Sequence, residues 1–215
     1  MTGGVLVLNP NSSTSCTDAV RDSLAGFGTG FTVETLPDGP PAIATWQDWH
    51  DAAGSLLRRV RAAEAAGPPG AYVVACVSDP GIDLLRATTP RPVFGALRAG
   101  VAMAMARADH FGIIAFVAAS VPRHRRVLQA MGLEHRCTGS LPLDLPMDAL
   151  THPDACRPRL VSAAHALRDG GAEAVILGCA GMARHRRFLE DAVGLPVIEP
   201  VQAAAAQAML ACLNG

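Results

Sequence analysis

Leu177-Gly178-Cys179-Ala180-Gly181-Met182 ends the apolar run Ala174-Val175-Ile176-Leu177, and a counterpart, Ala75-Cys76-Val77-Ser78-Asp79-Pro80-Gly81, ends Tyr72-Val73-Val74-Ala75. Runs this short, rich in β-branched residues and bounded by Gly, Pro and Asp, read as buried parallel strands. Each cysteine therefore falls where a strand gives way to a loop. That is the carboxyl edge of a sheet, where open α/β sheets hold their ligands.

The two stretches read as copies. Arg91-Pro92-Val93-Phe94-Gly95 and the alanine-rich segment from Gly100 follow Cys76, while Leu195-Pro196-Val197-Ile198-Glu199 and Ala203–Met209 follow Cys179. The cysteines are 179 − 76 = 103 positions apart and the prolines 196 − 92 = 104. An internal repeat constrains the architecture before any single element does. The pattern predicts an α/β protein of two pseudosymmetric lobes, each a small, mostly parallel sheet flanked by helices. Residues 1–98 with a C-terminal helix over 200–215 would form the first lobe, and 99–199 the second. The active site would lie in the cleft between them, with one thiol on each side.

A chain of 215 residues, half of them hydrophobic, has ample material for a core, and its net charge of −1 gives no reason to expect nucleic acid or an anionic membrane. No apolar run approaches the roughly 20 residues of a membrane helix, and no leader pattern opens the chain, so a soluble cytoplasmic protein is expected. The six cysteines contain no C-x-x-C pair and no zinc-like spacing. Cys16, Cys137, Cys156 and Cys212 are expected to be small core hydrophobes. No metal is expected from these spacings.

In chain order, Val5–Leu8 reads as a strand and Asn9–Ser13 as a turn, with Ser12 or Ser13 capping a helix to about Leu24. Asn11 would then sit beside helix-terminal amides, a favourable place for a ligand carbonyl or carboxylate. Phe31–Leu36 alternates as a strand, and a helix spans about 45–66. Asp79 is expected to cap its own turn, with Pro80 at the first helical position. Gly112–Phe116 opens the second half, followed by a helix from Ser120 to about Met131. A strand near 141–145, punctuated by Pro142 and Pro146, and a helix over about 153–169 come next. Arg123-His124-Arg125-Arg126 and Arg184-His185-Arg186-Arg187 read as solvated helix faces, with anion binding the alternative, and His185 is set apart because it follows Cys179 by six positions.

Several segments together resemble the Asp/Glu/hydantoin racemase superfamily, specifically its hydantoin and allantoin racemase branch. They are Leu8-Asn9-Pro10-Asn11-Ser12, Gly39-Pro40-Pro41-Ala42-Ile43, Ala75-Cys76 with Asp79-Pro80-Gly81, Leu177–Met182 and Pro196–Val201. The resemblance implies a metal-free, cofactor-independent enzyme that uses Cys76 and Cys179 as acid and base on a small molecule. A 5-substituted hydantoin or a related cyclic ureide such as allantoin would be the substrate, and a homo-oligomer is expected. Related arylmalonate decarboxylases keep only the later cysteine. The alternatives are an aspartate/glutamate-type racemase, such a decarboxylase, or a non-catalytic small-molecule-binding paralogue. The chain departs from the family pattern at Ala44, Ala115, Phe116 and Glu199. Those changes imply a more apolar pocket.

Two thiols suit racemisation because a proton leaves one face of a carbon and another arrives on the opposite face. Free cysteine titrates near 8.5, so the base is expected to have a depressed pKa supplied by loop amides and helix N-termini. The amides of Val77, Ser78, Ala180 and Gly181 are candidates for stabilising an enolate oxygen. Asn11, Pro40, Ile43, Val77, Ser78, Ser120, Ala180 and Gly181 are expected to line the space between the thiols.

Overall fold

In the computed structural model, which describes residues 3–146 and 148–214, two four-stranded parallel sheets face each other across a shared core. Residues 1, 2 and 215, the ends of the expected lobe ranges, lie outside the described residues. The first half runs β1 (Val5–Asn9), α1 (Thr14–Leu24), β2 (Phe31–Thr35), α2 (Trp46–Ala66), β3 (Ala71–Val74), α3 (Ile82–Arg86), β4 (Val93–Gly95) and α4 (Ala96–Met105). The second runs β5 (Phe111–Ala115), α5 (Val121–Met131), β6 (Cys137–Pro142), α6 (Pro153–Asp169), β7 (Ala174–Gly178), α7 (Arg186–Val193), β8 (Val197–Ile198) and α8 (Pro200–Asn214). Strand orders are β2-β1-β3-β4 and β6-β5-β7-β8, so each half repeats the topology of the other.

The central strands explain their own burial. Every residue of β1, β3, β5 and β7 is buried, as expected for parallel strands covered on both faces. The edge strands β2 and β6 are only partly buried, and β6 starts at Cys137 rather than near Leu141. Beyond Pro142 the chain leaves the sheet, because proline offers no amide to continue the ladder.

The two alanine-rich helices lock the halves together. α8 packs against β1, β3 and β4 of the first sheet, while α4 packs against β7 and β8 of the second, and α4 and α8 pack on each other. One hydrophobic cluster therefore takes in Val7 and Val73 from one sheet, Ile113 and Ile176 from the other, and Ala96, Ala104, Ala204 and Ala208 from the helices. Small side chains make that close approach possible: a Cβ on Gly100 would lie 3.1 Å from Pro200 Cβ. The core is continuous across the pseudosymmetry axis, so the cleft walls are held at a fixed spacing.

Helix ends are fixed by side chains. Ser13 caps α1 by accepting from the Cys16 amide, and Thr45 and Asp48 form a reciprocal capping box at α2, a feature contributing about 0.5–2 kcal/mol. Asp79 does not cap its own turn. Its buried carboxylate accepts from the amides of Leu97 (2.8 Å) and Arg98 (3.0 Å), capping α4 instead. Asp79 itself stands at φ 48°, in the left-handed region. The loop after Cys76 is thereby tied to the helix that packs on β7. Glu199 plays the matching part at α8, accepting from Val201 and Gln202.

Candidate active site

Cys76 follows β3 and Cys179 follows β7, at equivalent positions of the repeated topology. Both are half-buried, and both line one cavity at the carboxyl ends of the strands. That cavity measures about 50 Å³. At roughly 10–15 Å³ for each water it has room for a few waters, or one small flat ligand. Among the described residues no group of three or more His, Cys, Asp or Glu side chains is placed to hold a metal ion.

Asn11, Ile43, Val77, Ser78, Ser120, Ala180 and Gly181 all line this cavity. Pro40 is not among its walls; its carbonyl accepts from the Ser12 amide and so braces the turn after β1. Asn11 is also partly engaged, since its Oδ1 accepts from Asn9 Nδ2 and from the Ser13 amide. Phe116 faces the cavity. Ser78 is held in place by Trp49, whose indole Nε1 donates to the Ser78 carbonyl at 3.0 Å.

The thiols are not acidic in this cavity. Burial is the largest influence on each and pushes Cys76 up to about 11 and Cys179 up to about 12. Opposing it, the Ser78 hydroxyl lies 3.5 Å from Cys76 Sγ, and the amides of Ser78 and Gly181 bond Cys76 and Cys179 respectively. The expected depression is therefore overturned: amide donors are present, but desolvation of a thiolate outweighs them.

Asn9, Cys16 and Arg123 are among the wall residues not expected from sequence. Asn9 is buried at the end of β1, where its Nδ2 lies 3.0 Å from Asn11 Oδ1, the Ser13 carbonyl and Thr17 Oγ1. Cys16 is buried, as expected, but it also lines the cavity and acts on Cys179. Arg123 is the largest departure. It is 2% exposed, not solvated, and donates to the Ile43 carbonyl (3.2 Å), the Ala44 carbonyl (3.3 Å) and Ser120 Oγ (3.1 Å). Its position was available from helical spacing, because Ser120 and Arg123 are i and i+3 at the start of α5 and share a face.

His124, from the same basic cluster, is buried too, with Nδ1 2.9 Å from Ser140 Oγ; burial and the Arg123 charge push it down to about 4, so it is neutral. His185 is buried away from the cavity walls, its Nε2 2.9 Å from the Leu150 carbonyl. A second cavity of about 290 Å³, walled by Trp46, Trp49, His50 and Arg126 among others, shares Ser78 and Arg123 with the first.

A model of the Asp/Glu/Hydantoin racemase family matches residues 5–208. The chain is 36% identical over 209 residues to a hydantoin racemase of Paenarthrobacter aurescens, covering 93% of this chain and 87% of that one. It is 34% identical to a hydantoin racemase of Rhizobium meliloti over 203 residues, covering 92% and 84%. Among solved structures, allantoin racemase from Klebsiella pneumoniae superposes with a TM-score of 0.91 at 28% identity, covering 99% of this chain and 89% of that one.

Proposed function

The chain belongs to the Asp/Glu/hydantoin racemase family, and we propose that it is a cofactor-independent racemase of 5-substituted hydantoins or a related cyclic ureide such as allantoin. Cys76 and Cys179 are its acid and base. The observation that carries this reading is the placement of the two thiols at equivalent strand ends on the wall of one small cavity.

One thiolate removes the proton from the ring carbon C5, and the electron pair moves into the adjacent carbonyl to give a planar enolate. The opposite thiol then delivers its proton to the other face, leaving the second sulfur as thiolate and the product inverted. Protonation states are thus exchanged with each turnover.

The buried thiols set the main energetic demand. With Cys76 at about 11, ionising it at pH 7 costs about 5 kcal/mol, four factors of ten at ~1.36 kcal/mol each. Positioning in the near-attack geometry can supply that much, since well-oriented groups gain roughly 7–11 kcal/mol. A buried thiolate, once formed, is also poorly solvated and correspondingly basic. The apolar cavity therefore makes the base scarce but strong.

Incubation with enantiopure hydantoins, allantoin, aspartate and arylmalonates in deuterated water tests the reading. Loss of optical rotation with deuterium uptake at C5 of a hydantoin or at the corresponding carbon of allantoin is the expected result. Racemisation of aspartate alone would move the substrate to amino acids, and carbon dioxide release from arylmalonate would make the protein a decarboxylase. Inertness to every compound would leave a binding protein.

A further inference from the structure

We infer that Arg123 is the cavity's anchor for an anionic oxygen, meeting the ligand carbonyl beside Cys76 where negative charge gathers as the neighbouring carbon loses its proton. The role of that carbonyl rests on the racemase reading above; the anion-anchoring itself does not.

A guanidinium that is 2% exposed is costly to keep unless something compensates its charge. Its hydrogen-bond partners among the described residues are all neutral. Of the five donors that an arginine carries, bonds run to the carbonyls of Ile43 and Ala44 and to Ser120 Oγ, while Nε is buried without an acceptor. Among the described residues no carboxylate lies within ion-pair distance of it. Asp48 feels its charge, but the Asp48 carboxylate is already taken by the amides of Ala44 and Thr45. The cation is therefore left with unsatisfied charge and an unsatisfied donor, and it lines the same cavity as both thiols.

Its placement is also fixed in advance. Ile43 and Ala44 come from the segment between β2 and α2 in the first half, Ser120 from the start of α5 in the second, and the Trp46 ring lies 5.9 Å from the guanidinium carbon. A cation clamped across the cleft needs no reorganisation when charge develops on the ligand, which is the condition for strong electrostatic stabilisation. The two walls differ in this respect. Arg123 and Cys76 act on each other, whereas Cys179 feels Cys16, Cys76 and Cys156 and the Gly181 amide. A ligand bound between the thiols would have its anionic oxygen on the Cys76 side. The ring then has one orientation rather than two.

Alkylation with two matched probes tests the anchor without any assumption about substrate. Iodoacetate and iodoacetamide both transfer a carbon to a thiolate with loss of iodide, and differ only in carboxylate against amide. Modification of the Cys76 and Cys179 peptides is read by mass spectrometry at one fixed pH. In the wild type, the iodoacetate-to-iodoacetamide rate ratio should be higher at Cys76 than at Cys179. Arg123→Gln should lower that ratio at Cys76 on the order of tenfold, the low end for a charge focused by a cleft, with Cys179 little changed; Arg123→Lys should keep most of it.

With a neutral substrate such as 5-benzylhydantoin, Arg123→Gln should lower kcat roughly 10²-fold and leave KM nearly unmoved, as for loss of a donor used in the transition state. A wild type with no iodoacetate preference at Cys76 would overturn the anchor even if Arg123→Gln did not fold. So would an unchanged ratio in a folded Arg123→Gln. If the ratio behaves as expected while no hydantoin is racemised, the anchor stands and the racemase reading falls.

Discussion

Gly178→Ala isolates the position of Cys179 from the stability of the fold. A Cβ at residue 178 would stand inside contact distance of the Ile114 carbonyl oxygen, 2.9 Å from Ala115 Cα and 3.0 Å from the Ile114 carbonyl carbon. All three are backbone atoms of β5, the hydrogen-bonded neighbour of β7, so no side chain can rotate aside. The end of β7 must move by several tenths of an ångström or more. Over-packing of this kind costs about 1–3 kcal/mol, and for a chain this long each kcal/mol lowers Tm by about 2–4 °C. Cys179 is the next residue, and a displacement of ~1 Å at a reacting group costs on the order of 10²-fold in rate. Gly112→Ala is the control. Its Cβ would meet Leu167 side-chain atoms at 2.7–2.9 Å, an intrusion that side chain can partly relieve, near the amino end of β5 and away from the cavity. Calorimetry and racemisation kinetics on both variants separate the effects: both should lose Tm, Gly112→Ala less because the Leu167 side chain can shift, and kcat/KM should collapse only in Gly178→Ala. Activity kept in a folded Gly178→Ala, or lost equally in both variants, would refute the reasoning.

Three further outcomes follow from the same geometry. Burial raises Glu199 from 4.5 to about 7, against its bonds from the Gln202 and Val201 amides. The folded state therefore holds that proton more tightly than the unfolded state, so this contribution is greatest below about pH 4.5, falls by about 3 kcal/mol as pH rises to about 7, and is level above; the stability of wild type minus Glu199→Gln, from urea unfolding at pH 5 and pH 8, should drop accordingly, and a rise would reverse the sign. Phe116→Ala should open the cavity and raise kcat/KM for 5-benzylhydantoin relative to 5-methylhydantoin, with a lower Tm from loss of a buried ring; an unchanged substrate ratio would remove Phe116 from the specificity wall. Because Cys76 and Cys179 stand at about 11 and 12, iodoacetamide labelling of either should quicken about tenfold per pH unit from 7 to 10, and labelling that levels off by pH 8 would mean an acidic thiol.

The fold was legible because its central strands announce themselves: four short apolar runs, spaced as a repeat, became β1, β3, β5 and β7 with the two cysteines at matching ends. The edge strand β6 was misplaced by several residues, since a half-exposed strand carries little hydrophobic signal. Asp79 was read as a local cap because sequence shows only local partners, whereas its acceptor role reaches 18 positions away to Leu97. Arg123 was assigned to solvent because arginine is rarely fully buried. Only the fold reveals the carbonyls of Ile43 and Ala44 that receive it. The thiol pKa values were misjudged for a related reason: the helpful amides were visible in sequence, and the depth of the cavity was not.

The two-base mechanism is tested most directly by single-cysteine variants in deuterated water. Cys76→Ser and Cys179→Ser should each abolish racemisation, because a serine hydroxyl is too weak an acid to replace the missing thiol. Each variant keeps one sulfur, which can still take the proton of the enantiomer that presents its hydrogen to that wall. Proton NMR of each enantiopure hydantoin with each variant should then show exchange of the C5 hydrogen without inversion, in opposite enantiomers for the two variants. Exchange of the same enantiomer by both, or normal racemisation by either, would contradict the assignment of one thiol to each face.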